Sequence, residues 1–334
     1  MKRFLFKLSV FILIQLVLLS IVLFAGHNRQ SIGYMAAFDD KVELLKNHDR
    51  PSFIVLGGSN VAFGFDSPEF EKQIGLPTIN TGLHGSLGLD LYLELAEKYV
   101  RKGDQVLLLP EWGLIAGQFE SSPIQKHQLL RDSSSARRMY FSNWENYTKE
   151  FFDEFALPEI AYMLQEGTKF RSEEKQKEMA RNAKIPGVYS RLNFNERGDF
   201  IGHHGLGVTK DIRSMRCNIS FKSEVFELAV KKINDLADAL EKRGATLYFA
   251  YPPIPTPFYD EFEKEIQIGH EYLSQNLRIP ILHHPQQTAY PVNHFFDTVK
   301  HLNRKGKAER TSLLIGALTQ HEQRTARAGD SYQR

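Results

Sequence analysis

The sequence predicts an α/β fold built on a parallel sheet, and three observations lead there. Short apolar runs bounded by turn residues recur at 53–56, 77–80 and 106–109. Helical spacing of apolar residues fills the interval from 87 to 100, and the same strand–helix rhythm resumes at 222–318. With 334 residues, 42% of them hydrophobic, the chain can bury a large core.

The elements follow in order. The chain opens Met1-Lys2-Arg3, carries Lys7, and is then apolar from 8 to 25 apart from Ser9, Gln15 and Ser20. A bilayer is crossed by about 20 apolar residues, and basic residues ahead of such a stretch keep the N-terminus in the cytoplasm. The expected organisation is a basic N-terminus at 1–7, a transmembrane signal anchor at 8–26 and an exported domain at 27–318. A cleaved leader is the alternative, but its apolar region is usually about 7–15 residues long and ends in a small-x-small site. The stretch here is longer, and Leu23-Phe24-Ala25 places a large residue at 23.

Residues 36–47 carry Ala37, Phe38, Val42, Leu44 and Leu45 at the spacing of a short amphipathic helix. The run 53–56 reads as a buried strand, 77–80 as a weaker one, 87–100 as a helix and 106–109 as a strand after the turn Lys102-Gly103-Asp104. At Pro110 the rhythm stops. An insertion at about 112–221, with helical patches at 144–164 and 172–183, far exceeds an ordinary connection and is expected to form a lid. From 222, Val225, Leu228, Leu236 and Leu240 follow helical spacing to a stop at Gly244. A strand at 246–250, a helix at 259–276, a short strand at 279–282 and a helix at 304–318 capped by Asn303 complete the domain. The polar segment 319–334 is expected to be a disordered tail.

Composition excludes several functions. Net charge is +2, which gives no electrostatic footprint for nucleic acid. Cys217 is the single cysteine, so neither an internal disulfide nor a multi-cysteine metal site can form. The pairs His203-His204 and His283-His284 lack metal-ligand spacing, so no metal and no cofactor is expected. Gly57-Gly58-Ser59-Asn60 matches neither the dinucleotide nor the phosphate-loop pattern.

That segment does fit nucleophilic chemistry. A serine just past a strand's C-terminal end, at the start of a helix, sits at the sheet edge where backbone N–H groups can face a developing oxyanion. Asp297 and His301 lie four residues apart ahead of the last helix, spaced so that a histidine base and the carboxylate that orients it can meet. Between them in sequence, Asn80-Thr81-Gly82-Leu83-His84-Gly85 follows the second strand, and its glycines allow a close backbone approach to substrate. Taken singly, each segment also reads as an ordinary turn, capped by Ser59, closed by Asp297 or bent at the glycines. His84 and His294 lie close enough in sequence to support the site from outside.

With these residues together, the chain resembles the SGNH (GDSL-like) hydrolases of the membrane-anchored kind associated with bacterial cell-surface polysaccharide modification. Gly57-Gly58-Ser59-Asn60 resembles their first block, with Gly-Gly-Ser in place of Gly-Asp-Ser; Gly82 or Gly85 matches the second; Asp297, His301, Leu302 and Asn303 match the last, with three residues rather than two between acid and base. The resemblance implies a three-layer α/β/α flavodoxin-like parallel sheet and a Ser59–His301–Asp297 triad. It also implies an oxyanion hole using the Ser59 N–H, the second-block glycine N–H and a third-block asparagine. The sequence departs at that third block, where Pro110-Glu111-Trp112 offers no asparagine. Asn60 is the nearest substitute; Glu111 orients His301, contacts a sugar hydroxyl or forms a salt bridge to a neighbour.

The implied function is a serine esterase or O-acyltransferase acting on acylated carbohydrate at the extracytoplasmic face of the inner membrane. A membrane-bound acyltransferase is an expected partner, and a binding or assembly factor on the same fold is the alternative.

Overall fold

The computed structural model describes residues 2–20, 32–142, 187–207, 210–215, 217 and 219–331. In chain order the elements are α1 (Lys2–Ser20), α2 (Ala37–Asn47), β1 (Phe53–Leu56), α3 (Ser59–Gly64), α4 (Ser67–Ile74), β2 (Thr78–Asn80), α5 (Leu89–Tyr99) and β3 (Gln105–Leu108). Then come α6 (Trp112–Ile115), α7 (Pro123–Asp132), α8 (Ser134–Ser142), α9 (Ser223–Lys242), β4 (Thr246–Phe249), β5 (Ile254–Pro255), α10 (Thr256–Glu261), α11 (Glu263–Asn276), β6 (Ala289–Tyr290) and α12 (Arg304–Ser331). They fall into two compact units, Met1–Asp39 with Pro123–Arg191, and Asp40–Ser122 with Leu192–Arg334.

In the first unit, α1 leaves Phe4, Phe6, Phe11 and Leu13 between 59% and 70% exposed. Among the described residues no helix is long and apolar enough to cross a membrane, and residues 21–26 of the expected anchor lie outside them. A small core joins Tyr34 and Met35 to Leu129, Leu130, Ala136 and Met139 of α7 and α8. The start of α8 is capped twice. Ser133 Oγ accepts from the Ala136 N–H and donates to Asp39 Oδ1 at 2.7 Å, while the Ser134 and Ser135 N–H groups donate to the Asp39 carboxylate at 3.2 and 2.7 Å.

Burial alone would raise the Asp39 pKa, but these hydrogen bonds hold it below the usual carboxylate range. A depressed folded pKa means stability that is present above the unfolded value and lost as the pH falls through the folded one. Asp39→Ala is therefore expected to lower stability by about 1–2 kcal/mol at pH 7. In urea unfolding, its difference from wild type should shrink as the solution is acidified below the carboxylate range.

The second unit is α/β with a four-stranded parallel sheet in the order β2-β1-β3-β4, and a parallel bridge from Phe249 to Ile281 lies beyond β4. Strands of a parallel sheet are covered on both faces, which is why they read as unbroken apolar runs. Phe53, Val55, Leu107, Leu109, Tyr248 and Ala250 pack in one core with Val61, Phe65, Phe70, Leu314 and Leu318, joining α3, α4 and α12 to one face. The alternate residues Ile54, Leu56, Val106, Leu108 and Phe249 are fully buried on the other face, where α5 packs on β1 and α9 packs on β4.

Several boundaries differ from the sequence reading. The helix expected at 259–276 is broken at Phe262 into α10 and α11, and 279–282 supplies a single bridge rather than a strand. The two-residue strands β5 and β6 form a second small sheet too short to carry any period. Residues 319–331 are helical rather than an unstructured tail, because Gln, Glu, Arg and Ala are good helix formers and extend α12 once its first turns are packed.

Within the expected insertion, 112–122 and 192–221 belong to the sheet-bearing unit, whereas the patches at 144–164 and 172–183 lie outside the described residues. Asp199 shows how firmly its C-terminal part is built in. Fully buried, it accepts from the Ser67 N–H, the Ser67 hydroxyl and Asn80 Nδ2 at 2.9, 2.5 and 2.8 Å. The buried Lys41 ammonium donates to the Asn80 and Gly198 carbonyls at 3.0 and 2.7 Å.

Candidate active site

In the order 2-1-3-4 the chain leaves β1 toward one edge and β3 toward the other, so a crevice opens at the C-terminal ends of these two neighbours. Ser59 follows β1 there, and Glu111 follows β3. At the first position of α3, Ser59 is 7% exposed and donates its hydroxyl to Glu111 Oε1 at 3.0 Å. The Asn60 N–H approaches the same oxygen at 3.4 Å.

The Glu111 carboxylate is almost completely buried and meets Lys300 Nζ at 2.5 Å through its other oxygen. Burial would raise its pKa; the Lys300 ammonium, a nearby His301 and the Ser59 hydroxyl together hold it below the usual range, so it is ionised at neutral pH. Two glycines make room for it. A Cβ on Gly58 or Gly85 would run into the carboxylate oxygens, so the backbone on both sides of the crevice is shaped around this one group.

The Asp297–His301 segment is a closed loop. Phe295 and Leu302 pair in an antiparallel bridge, the Phe296 N–H donates to the His301 carbonyl at 2.9 Å, and Thr298 Oγ1 accepts from the Lys300 and His301 N–H groups at 3.2 Å each. Short side-chain-to-backbone bonds of this kind fix a turn without regular structure. Asp297 Oδ1 then lies 2.7 Å from His301 Nδ1, and both residues are nearly buried. A carboxylate at that distance assigns the proton to Nδ1 and leaves Nε2 as an acceptor. The ring itself stacks on Phe63 with centroids 3.9 Å apart and planes 6° from parallel. As the sequence suggests, Asn303 caps α12, its Oδ1 accepting from the Lys305 and Gly306 N–H groups at 3.0 and 3.2 Å.

Ser59, His84, Gly85, Glu111, Lys300 and His301 line a single cavity of about 450 Å3, with Asp297 behind His301. Small-molecule sites commonly span about 300–1,000 Å3. The other expected residues divide. Gly85 is on the cavity wall, whereas the Gly82 N–H donates to Asn80 Oδ1 at 2.8 Å and is engaged in the second turn. The Asn60 side chain is fully buried, and Nδ2 donates to the Leu109 carbonyl at 3.1 Å, tying α3 to the end of β3. Glu111 contacts Ser59 and Lys300 by hydrogen bonds, the salt-bridged arrangement, and approaches His301 only through its charge.

His84 accepts from the Ser86 N–H at 3.1 Å and lines the cavity, whereas His294 lies 3.1 Å from Glu309 Oε2 on α12 and is not part of the lining. Burial pushes the His203 imidazole down to about 3, and its ring lies nearly parallel to that of Phe200. Among the described residues no three His, Cys, Asp or Glu are arranged to hold a metal ion.

Sequence reasoning missed Lys300. The signal available was indirect: a carboxylate placed at a buried strand end requires a cation. Arg310 was missed as well, since its partner is a backbone carbonyl 250 residues away. It is completely buried and donates from Nη1 to the Asn60 carbonyl at 2.6 Å, fastening α12 to the serine-bearing helix. The assembled groups are a hydroxyl, an oriented imidazole and a carboxylate–ammonium pair around one open space. No protein-family model matches the chain, and no curated protein matches it.

Proposed function

We propose that the chain is a membrane-tethered, exported serine esterase or O-acyltransferase acting on acylated cell-surface glycan, on the three-layer SGNH-type fold that the sheet order and its doubly covered faces resemble. The observation that carries this reading is the shared cavity of Ser59 and His301, with Asp297 2.7 Å behind the imidazole. In the proposed reaction Ser59 attacks an ester carbonyl, His301 accepts its proton and returns it to the leaving alcohol, and Asp297 holds the imidazole and stabilises its cation. Water as the second acceptor completes an esterase cycle, and a sugar hydroxyl completes a transferase cycle. The row of exposed Phe4, Phe6, Phe11 and Leu13 on α1 supports the anchor, since such a row gains free energy by leaving water.

One observation favours a second reading, an assembly factor without turnover. An ionised carboxylate 3.0 Å from the Ser59 hydroxyl is an adverse neighbour for a developing oxyanion. The full-length chain in detergent, treated with a fluorophosphonate, separates the two. The enzyme reading predicts covalent labelling at Ser59 that is lost in Ser59→Ala; a folded wild-type chain that remains unlabelled sinks it.

A further inference from the structure

We infer that Lys300 is the electrophilic residue of this site, its ammonium donating a hydrogen bond to the alkoxide oxygen that forms when Ser59 attacks an ester carbonyl. The inference rests on the acyl-transfer reading above and goes beyond it in assigning the charge that answers the oxyanion. Attack forms the Oγ–C bond and moves the carbonyl π pair onto oxygen, while the serine proton passes to His301 Nε2. Collapse restores the carbonyl, breaks the bond to the alcohol and returns the proton to that leaving oxygen. Lys300 transfers no proton in either step.

Three observations converge on Lys300. Among the described residues that line the cavity it is the one lysine or arginine. Glu111 bridges it to the nucleophile, taking the Ser59 hydroxyl on Oε1 and the Lys300 ammonium on Oε2. That places the cation and the nucleophile on the two oxygens of one carboxylate, and an ammonium carries three donors, of which Glu111 takes one. The Lys300 side chain is also 44% exposed, so it reaches the buried Glu111 carboxylate from the solvent side. Arg310, the other cation close to α3, is completely buried and faces the Asn60 carbonyl instead.

The geometry also explains why an oxyanion can form beside a fixed carboxylate. Glu111 positions the ammonium, and the ammonium offsets the Glu111 charge while offering its remaining donors to the alkoxide. Glu111 is thus a positioning residue and Lys300 the group that touches the reacting atoms.

The test uses the full-length chain in detergent, p-nitrophenyl acetate turnover and a fluorophosphonate. Lys300→Met is expected to lower kcat about 100-fold or more with little change in KM, and Lys300→Arg, which keeps the charge, to retain most of the activity. The double variant Lys300→Met with Glu111→Met removes the buried carboxylate that the single variant leaves unpaired. If Lys300 stabilises the oxyanion, the double variant stays at least about 100-fold slow. Recovery of wild-type kcat in the double variant would mean that Lys300 only neutralises Glu111, and would overturn the inference, as would an unchanged kcat in Lys300→Met. A wild-type chain that neither labels nor turns over fails the acyl-transfer reading itself, a result distinguishable from both.

Discussion

Ser59→Ala, His301→Ala and the double variant are all expected to show the same residual turnover of an aryl acetate, about 10^4- to 10^6-fold below wild type. The equality is the informative part. A hydroxyl at Ser59 is a poor nucleophile until a base accepts its proton, so removing either partner removes the same step, and the second deletion has nothing further to take away. What persists comes from binding and from whatever polarises the carbonyl. Measuring kcat for the three variants checks it. Losses that multiply in the double variant would show that Ser59 and His301 contribute independently, contrary to their meeting in one cavity.

Asp297→Asn is expected to cost about 10^4-fold in kcat while leaving the fold intact. The substitution is nearly isosteric, and the loop around it is also held by the Thr298 hydroxyl and the Phe296 N–H. An amide, however, can present its NH2 to His301 Nδ1. The ring then carries its proton on Nε2, a donor where the proposed reaction needs an acceptor. The amide also fails to stabilise the imidazolium of the transition state. Steady-state kinetics with melting temperature measured in parallel decides the point: a large fall in kcat with an unchanged Tm is expected. A kcat within tenfold of wild type would remove Asp297 from the mechanism.

Which parts of the fold and site were legible in the sequence follows from the range of the interactions that make them. The strand–turn–serine unit could be read because Phe53–Leu56, two glycines and Ser59 are contiguous and each choice is local. Asp297 and His301 were legible as a pair because only three residues separate them. Glu111 was visible as a departure at the end of β3, but its partners were not, since Ser59 is 52 residues away and Lys300 189.

Which side chain of the 297–301 loop faces the cavity depends on the Phe295–Leu302 bridge, and a single bridge leaves no periodicity. The different placement of Gly82 and Gly85 was not legible either, since it depends on the Asn80 side chain, whose Oδ1 accepts the Gly82 N–H. Asn60 looked available because it adjoins the serine, yet its side-chain amide is turned to the Leu109 carbonyl. The extension of α12 past residue 318 was misread because composition reports the solvation of a segment, whereas a helix already nucleated by packing continues through any run of good helix formers.

The parallel stacking of His301 on Phe63 has a consequence for charge. In the resting site the aromatic face restrains the plane of the imidazole. In the proposed acyl transfer the same ring becomes a cation while pressed against the negative face of the phenyl quadrupole. Attraction between a cation and an aromatic face reaches about 2 kcal/mol where water is excluded, and the His301 side chain is 9% exposed. An attraction that is present only once the proton has arrived lowers the barrier rather than tightening the resting complex, by up to about 30-fold in rate. In the proposed reaction Phe63 would thus give a hydrocarbon side chain a share in the electrostatics of the transition state.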